Sequence, residues 1–372
     1  MAVPFVDLAA IHAPIRADLL AAIASVIDRD AYILGADVAD FEREIAAWLA
    51  LPHAIGVSSG TDALIAALMA LDVGPGDEVI TTPFTFFATA GAIARLGATP
   101  VFVDIEPASF NLDPERVEAA IGPRTKAIIA VHLFGRAADL GRLSIIAEAA
   151  GLPLIEDAAQ AIGAEWDGKK VGGIGRIGCF SFFPAKNLGC FGDGGLVTTA
   201  DDALAERLRR LRTHGGAKAY LHHEVGGNFR LDAVQAAVLR VKLPLLESWT
   251  QAREANAAGY DQRFAAANLG ERLLTPERGA SRHAYNQYVV RIPGGRRDAV
   301  KQALQAAQIG AAVYYPLALH QQPCFQTGAR VAGTMAETER ATAEVLALPV
   351  APGLTPAGQD EVVRAIAEAL RS

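Results

Sequence analysis

Residues 181–195 read SFFPAKNLGCFGDGG, and Lys186 is the one lysine among them. Phenylalanines and a proline precede Lys186 and a glycine-rich segment follows it, which is typical of a tight interior rather than of a solvated surface. A lysine held in such surroundings needs a chemical reason, because burying an unpaired charge costs free energy. Desolvation also lowers the pKa of a lysine and makes the neutral amine available as a nucleophile and base. The stretch therefore predicts a reactive lysine.

On both sides of this stretch, from residue 53 onward, short β-branched runs alternate with alanine-rich helical patterns. The alternation predicts an α/β fold around a mainly parallel sheet. The predicted strands are 54–59, 77–83, 99–105, 126–135, 152–158 and 194–199, and the predicted helices between them are 61–71, 87–97, 113–121 and 138–151.

A long helical pattern over residues 230–267 is interrupted by Pro244, and the chain beyond it is richer in Gln, Arg and Pro. We place the domain boundary at this interruption. The prediction is an N-terminal segment with a large domain over residues 1–245 and a small C-terminal α/β domain over 246–372. The small domain would contain strands at 286–293 and 311–316 and helices at 297–308 and 356–372.

Composition narrows the classes of function. The 372 residues carry a net charge of -7, so a basic surface for a nucleic-acid partner is not expected. Three cysteines without CxxC spacing argue against a secreted disulfide framework and favour a reducing cytoplasm. The first residues lack the pattern of an export signal, no membrane span is expected, and no histidines have metal-ligand spacing, so we assign no metal.

Two further segments place polar groups where predicted strands end, which is where parallel-sheet enzymes bind ligands. In SSGTDALIAAL (58–68) a strand leads directly into a helix, so the helix start predicts a phosphate site, although Ser59 or Thr61 could simply cap the helix. In LPLIEDAAQAIGA (152–164) Asp157 is either a cap or a carboxylate that keeps a heteroaromatic nitrogen protonated. A reactive lysine, such a carboxylate and a phosphate site are the parts that pyridoxal phosphate requires together.

Five separated motifs resemble, in order, those of the DegT-type (StrS-like) PLP-dependent sugar aminotransferase family. They are SSGTDAL, TTPFTFFATA, EDAAQAIGA, SFFPAKNLGCFGDGG and GGNFRLDAVQAA. The resemblance extends over nearly the whole chain. It implies the type I, aspartate aminotransferase-like PLP-dependent transferase fold and a homodimer. The implied activity is the transfer of an amino group from L-glutamate to a keto group of a nucleotide-linked sugar, for the biosynthesis of amino sugars.

The resemblance also implies roles for individual residues around pyridoxal 5'-phosphate. Lys186 would form the Schiff base with the cofactor, Asp157 would face the pyridine nitrogen, and Gln160 would donate to the ring hydroxyl. Phe86 would cover one face of the ring, unless it is core packing, and Ala158 would leave room at the other face.

The phosphate of the cofactor would be held by residues from two subunits. Gly60, Thr61 and Ser181 would bind it from one chain, and Asn228 would reach it from the partner, so that the active sites are shared. Tyr315 and His320 are candidates for contact with the substrate, although a histidine in a polar loop is more often structural.

Three alternatives are weighed against this function. Family members that carry out dehydration have histidine in place of the lysine, and Lys186 argues against that reaction. A non-catalytic regulatory protein would not need a Schiff-base lysine. A non-nucleotide keto substrate, such as an aminocyclitol precursor, stays open. The motifs at 81–90 and 181–195 favour amination at C3 slightly over C4.

Overall fold

The computed structural model describes residues 2–218 and 220–371. The helices are α1 (Leu8–His12), α2 (Arg16–Asp28), α3 (Ala36–Leu49), α4 (Gly60–Ala70), α5 (Ala88–Arg95), α6 (Pro114–Ala120), α7 (Leu140–Ala149), α8 (Asp202–Leu211), α9 (Ala233–Lys242), α10 (Leu246–Ala267), α11 (Arg297–Ala306), α12 (Ala336–Glu344) and α13 (Pro356–Arg371). The strands are β1 (His53–Val57), β2 (Glu78–Thr81), β3 (Thr99–Phe102), β4 (Thr125–Val131), β5 (Leu154–Asp157), β6 (Glu165–Trp166), β7 (Lys169–Lys170), β8 (Ile177–Ser181), β9 (Gly195–Thr199), β10 (Gly216–Lys218), β11 (Leu221–His222), β12 (Tyr288–Arg291), β13 (Arg330–Val331) and β14 (Val345–Leu348).

The main sheet has the strand order β1-β9-β8-β5-β4-β2-β3-β13. Strand β9 is antiparallel to both of its neighbours and the other pairs are parallel. Parallel strands point their carboxyl ends to the same edge, so the residues that follow β1, β4, β5 and β8 lie along one edge. The predicted α/β fold with a mainly parallel sheet is confirmed.

Helices cover both faces of this sheet, which explains why its strands are apolar at successive positions. Side chains of β4 alternate between two cores: Ile128 packs with the core that includes Phe41 of α3, and Ile129 packs with the core that includes Leu64 of α4 and Leu208 of α8. The sheet is therefore buried on both sides, and only its edges are open to ligands.

The C-terminal part has its own core, formed around the antiparallel pair β12 and β14. Tyr260 of α10, Tyr288 of β12 and Ile366 of α13 are fully buried in it. A 3₁₀ turn at Leu243–Leu245 separates α9 from α10, as Pro244 predicts. Two contacts join residues on either side of the predicted boundary: Val3 forms a bridge with Ile309, and β13 joins the main sheet beside β3. The division at residue 245 stays a prediction.

Two of the differences between the predicted and the observed strands concern the site. Strand β8 was not predicted, because Gly178 and the glycine-rich residues before it mask its apolar pattern. Residues 311–316 were predicted as a strand and are not one, since Ala312 forms only an isolated bridge to Ala347. The tyrosines of that segment line a cavity instead, which explains their β-like composition.

One helical stretch, Leu8–Asp28, is long and apolar enough to span a membrane by length and composition alone. It includes the 3₁₀ turn Ala13–Ile15, and Leu19 and Val26 on α2 are buried. A single stretch of this kind near the N-terminus is weak evidence for a span.

Candidate active site

A cavity of about 440 Å³ opens where the parallel strands end. Its size lies within the range of roughly 300–1,000 Å³ typical of ligand pockets. The side chains that line it come from the start of α4, the loop before α5, the end of β5, the turn after β8 and two loops of the C-terminal part. Of the ten site residues named from the sequence, eight line this cavity: Gly60, Thr61, Phe86, Asp157, Gln160, Ser181, Lys186 and Tyr315.

Lys186 lies on the wall of the cavity, in the turn after β8. Its backbone N–H donates to the carbonyl of Phe183 at 2.8 Å, and the side-chain amide of Asn187 donates to the carbonyl of Ala284 at 2.8 Å. Behind the turn, the buried Lys242 donates from Nζ to the carbonyl of Gly189 at 2.6 Å. These contacts hold the turn in place and leave the amine of Lys186 without a hydrogen bond among the residues the structure describes.

Burial lowers the pKa of Lys186 to about 8, and the negative charge of Asp157 opposes this shift. A substantial share of the amine is therefore neutral slightly above neutral pH, where an ordinary lysine is almost fully charged. The sequence-based prediction of a reactive lysine rested on the same desolvation argument.

Asp157 is the last residue of β5 and its side chain is buried. Oδ2 accepts a hydrogen bond from the hydroxyl of Thr89 at 2.8 Å, and Oδ1 accepts one from the backbone N–H of Ala159 at 3.2 Å. Burial raises the pKa of Asp157, while Thr89, Ala159 and the charge of Lys186 act to lower it. The carboxylate thus faces the cavity with defined partners.

The neighbouring Glu156 has a different task. Its oxygens accept hydrogen bonds from the backbone N–H groups of Gly172, Ile174 and Gly175 and from Nε2 of His132 at 2.9 Å. Adjacent residues of a strand point to opposite faces, so Glu156 ties down the loop before β8 while Asp157 is free to meet a ligand.

Gln160 lies in the cavity wall with its amide orientation fixed. Its Oε1 accepts the backbone N–H of Phe134 at 2.7 Å, and its Nε2 donates to the hydroxyl of Tyr315 at 3.0 Å. One N–H of the amide remains for a ligand, because the nitrogen has two donors. Tyr315, which was predicted to contact substrate, therefore lies beside Gln160, and burial raises the pKa of its hydroxyl.

The start of α4 lies against the end of β8. A methyl group on Gly60 would come within 2.7 Å of Cβ of Ser181, so glycine is required for this close approach. Ser59 is the helix cap, since its hydroxyl accepts the N–H of Asp62 at 3.0 Å, whereas Thr61 is exposed and lines the cavity. Of the two candidate caps, Ser59 is used, and Thr61 and the first N–H groups of the helix face a ligand site.

Two aromatic side chains flank the cavity opening. Phe86 is 59% exposed and Phe183 is 53% exposed, which is unusual for rings that belong to a core. Phe86 is therefore not core packing in this chain. Ala158 is buried and lies outside the cavity lining, and its neighbour Ala159 lines the cavity instead.

Asn228 and His320 do not line the cavity of their own chain. Asn228 is exposed and its backbone bridges Thr213. His320 lies 3.4 Å from Glu339 through Nε2, and its Nδ1 is buried without a partner within the described part of the chain. The predicted contacts of Asn228 with the partner's phosphate and of His320 with the substrate therefore stay predictions.

Sequence reasoning missed several residues of the lining. The hydroxyl of Thr89 donates to Asp157 and that of Thr85 is hydrogen-bonded to Thr89. Asn286, Gln287 and Tyr314 line the cavity from the C-terminal part of the chain. Thr89 is in the first turn of α5, but Thr85 is in the loop before it, so the two threonines share no helix face that the sequence could have revealed. For the three C-terminal residues the sequence carries no signal either.

A larger open depression of about 910 Å³ lies elsewhere, where Thr125 begins β4 and Leu154 begins β5. It is at the edge of the sheet opposite to Lys186 and Asp157, and parallel sheets bind their ligands at the carboxyl edge. Within residues 2–218 and 220–371, no group of three or more His, Cys, Asp or Glu side chains is placed to hold a metal.

Comparisons with known proteins agree with this geometry. The chain is 47% identical over 372 residues to a "Pleiotropic regulatory protein" of Geobacillus stearothermophilus, covering 100% of this chain and 99% of that protein. It is 45% identical over 375 residues to a UDP-N-acetyl-3-dehydro-alpha-D-glucosamine 3-aminotransferase of Acidithiobacillus ferrooxidans, covering 100% and 97% of the two chains. The crystal structure of DesV from S. venezuelae superimposes with a TM-score of 0.95 at 42% identity, covering 100% and 99%.

The model of the DegT/DnrJ/EryC1/StrS aminotransferase family matches residues 14–367, which confirms the resemblance carried by the five motifs. The type I fold is confirmed by the structural match. Pyridoxal phosphate is the cofactor of the aminotransferases of this family. The chain therefore belongs to the DegT/DnrJ/EryC1/StrS aminotransferase family and is a PLP-dependent aminotransferase.

Proposed function

We propose that this enzyme transfers the amino group of L-glutamate to a keto group of a nucleotide-linked sugar, with C3 favoured over C4. The product would enter the biosynthesis of a surface polysaccharide or a glycosylated natural product, in the cytoplasm. The observation that carries the proposal is that Lys186, Asp157 and Gln160 meet the start of α4 around one cavity. The C3 preference is supported by the 3-aminotransferase that is 45% identical to the chain.

The residues present fit the cofactor. Pyridoxal phosphate supplies an aldehyde that reacts with amines and a ring that withdraws electrons from the attached carbon. Lys186 has an amine free of hydrogen bonds in the described structure, with a lowered pKa, as covalent attachment and proton transfer require. Gly60 and Ser181 approach closely at the start of α4, where the first N–H groups of a helix have no partner within the helix, as a phosphate site requires.

Each of these residues would contact a particular part of the bound cofactor. Lys186 would hold the cofactor covalently at rest and afterwards move a proton with its neutral amine. Asp157 would accept the N–H of the pyridine nitrogen and keep it protonated. Gln160 would donate its remaining N–H to the ring hydroxyl, and Phe86 would cover one ring face and exclude water.

The charges of the cavity support a homodimer with shared active sites. Of the described residues that line it, Lys186 is the one lysine, arginine or histidine. A phosphate group, the carboxylates of glutamate and a nucleotide diphosphate all need positively charged or donor partners. A second copy would supply them through Asn228 and Arg230. Asn228 is exposed, and the side chain of Arg230 makes no hydrogen bond or ion pair with the described residues.

Exposed apolar side chains also favour pairing with a second copy. Leu20 and Ile27 of α2 are 49% and 53% exposed, and Val225, near Asn228, is 87% exposed. Leu20 and Ile27 are seven positions apart and therefore lie on one face of α2, and neighbouring exposed apolar side chains of this kind mark interaction surfaces. We propose that a second copy covers them in the homodimer.

Mixing two inactive variants is expected to restore activity if the sites are shared. Lys186→Ala subunits and Asn228→Asp subunits are combined under conditions that exchange subunits. Half of the dimers are then mixed, and one site of each mixed dimer has both native residues, so about a quarter of the wild-type activity should return. Asn228→Asp is chosen because its new charge would repel the phosphate bound by the partner.

The matched control pairs Lys186→Ala with Asp157→Asn. Both residues belong to the same chain's cavity, so no site of that mixed dimer is intact and activity stays at the level of the parents. Recovery in the control, or its absence in the first mixture despite mixed dimers shown by mass spectrometry, would contradict a shared site.

The reaction itself is expected to proceed in two halves. With glutamate alone, the enzyme should release a stoichiometric amount of 2-oxoglutarate and its visible absorption should change as the amino group is retained. A nucleotide-linked keto sugar added afterwards should restore the original spectrum and yield an amino sugar. This ping-pong pattern follows because both substrates use the same cavity in turn.

The choice of sugar is tested by comparing kcat/KM for 3-keto and 4-keto sugar nucleotides. A preference for the 4-keto sugar would refute the C3 assignment alone. Turnover of a free cyclitol ketone, with no nucleotide sugar accepted, would establish the alternative substrate class. A purely regulatory role offers no explanation for the free amine of Lys186 beside Asp157, and release of 2-oxoglutarate would exclude it.

A further inference from the structure

Behind Asp157 lies a chain of two hydroxyl groups that the proposed reaction does not use. The hydroxyl of Thr89 is 2.8 Å from Oδ2 of Asp157, and the hydroxyl of Thr85 is 3.0 Å from that of Thr89. Thr89 is fully buried and Thr85 nearly so, in the first turn of α5 and the loop before it. Buried hydroxyls of this kind have fixed partners.

We infer that Thr89, itself oriented by Thr85, is a positioning residue that holds the Asp157 carboxylate ionised and aimed at the cofactor's ring nitrogen. The inference rests on the proposed contact between Asp157 and that nitrogen. It adds residues outside the set named from the sequence.

The direction of the hydrogen bonds follows from the chemistry of the groups. An ionised carboxylate only accepts hydrogen bonds, so Thr89 must give its single hydroxyl proton to Asp157. The oxygen of Thr89 then acts as acceptor, and Thr85 donates to it. Protonation of Asp157 at Oδ2 would force this order to reverse, so the chain favours the ionised form.

The hydrogen bonds also leave room for a ligand. Two carboxylate oxygens offer about four lone-pair positions, and Thr89 and the N–H of Ala159 occupy one on each oxygen. A position on each oxygen therefore remains for a ring N–H. Because both fixed donors lie on protein groups, the carboxylate cannot rotate freely away from the cavity.

The surroundings explain why an extra donor matters. Burial raises the pKa of Asp157, and without compensation the carboxylate would tend to bind the proton that the ring nitrogen needs. The other titratable groups that face Asp157 are Lys186, His132, Cys179 and Tyr315. Those groups remain unchanged when Thr89 is replaced, so the hydroxyl can be tested separately.

The test uses Thr89→Val, which keeps the branched shape and removes the hydroxyl, in the holoenzyme. The ¹⁵N NMR signal of the ring nitrogen, in enzyme loaded with ¹⁵N-labelled cofactor, reports whether that nitrogen is protonated. We expect the signal to move toward the unprotonated form and kcat to fall by about 10- to 100-fold, the effect of a hydrogen bond to a charged group. Thr89→Ser should restore both, and Thr85→Val should give a smaller change in the same direction.

An unchanged nitrogen signal in Thr89→Val overturns the inference, whether or not activity falls, because a merely structural hydroxyl would not alter ring protonation. Thr89→Ala replaces Thr89→Val if the valine variant does not fold. Asp157→Asn separates this failure from a failure of the proposed site. If the asparagine variant also leaves the nitrogen protonated, the role of Asp157 itself is wrong.

Discussion

Lys186→Ala is expected to lose covalent attachment of the cofactor and to reduce turnover by about 10³-fold or more. The wild-type enzyme should be yellow, and borohydride should fix the cofactor permanently to one peptide, which contains Lys186. The reason is that Lys186 has the free amine in the cavity, and burial lowers its pKa to about 8. Peptide mapping by mass spectrometry and steady-state kinetics measure the two effects.

Two further variants separate amine chemistry from charge. Lys186→Arg keeps a positive charge, but a guanidinium does not deprotonate and cannot attack the aldehyde, so the same loss is expected. Lys169→Ala removes an exposed lysine outside the cavity and should behave like the wild type. Labelling of another lysine, or normal turnover by Lys186→Ala, would contradict the assignment of Lys186 as the lysine that binds the cofactor.

The sequence predicted the large sheet well because each parallel strand and its helix form a local pattern. Strands that are buried over most of their length, such as β4, contain continuous apolar runs, and caps such as Ser59 mark where the following helix begins. Strand β8 was not predicted because Gly178 and the glycine-rich residues before it mask its apolar pattern, and only its pairing with β5 and β9 identifies it. The segment 311–316 has a strand-like composition for a different reason, namely its position on the cavity wall.

The residues of the candidate site could be predicted from the residues themselves only when a single motif contains both the reactive side chain and the pattern that points to it. Asp157 ends a strand that the sequence predicts, and Lys186 lies in an apolar, glycine-rich stretch, so the end of a parallel strand and the desolvation argument were enough to nominate them. The sequence does not predict which motifs contact each other. Ser181 lies against Gly60, so position 60 must lack a side chain, and this requirement is visible only in the structure. The pairing of Gln160 with Tyr315 joins residues 155 positions apart and depends on the complete fold.

Asp157→Asn is expected to lower turnover by at least about 10²-fold, the effect of removing a group that stabilises developing charge. Asparagine preserves the shape of the side chain but carries no negative charge, so the ring nitrogen would lose its proton and the ring would withdraw electrons less strongly. The protein should still bind cofactor through Lys186 and the phosphate site. Steady-state kinetics give the loss, and absorption spectra with a cofactor titration show whether binding is retained.

Asp193→Asn is the matched control, because Asp193 also lines the cavity and is exposed. Both substitutions remove one negative charge from the same cavity, but Asp193 has no hydrogen bond to Thr89 or Ala159 that would fix it against the ring. The control should therefore lose far less activity. Equal losses would mean that the net charge of the cavity matters rather than a contact of Asp157. Near-normal turnover of Asp157→Asn would show that protonation of the ring nitrogen does not depend on this carboxylate.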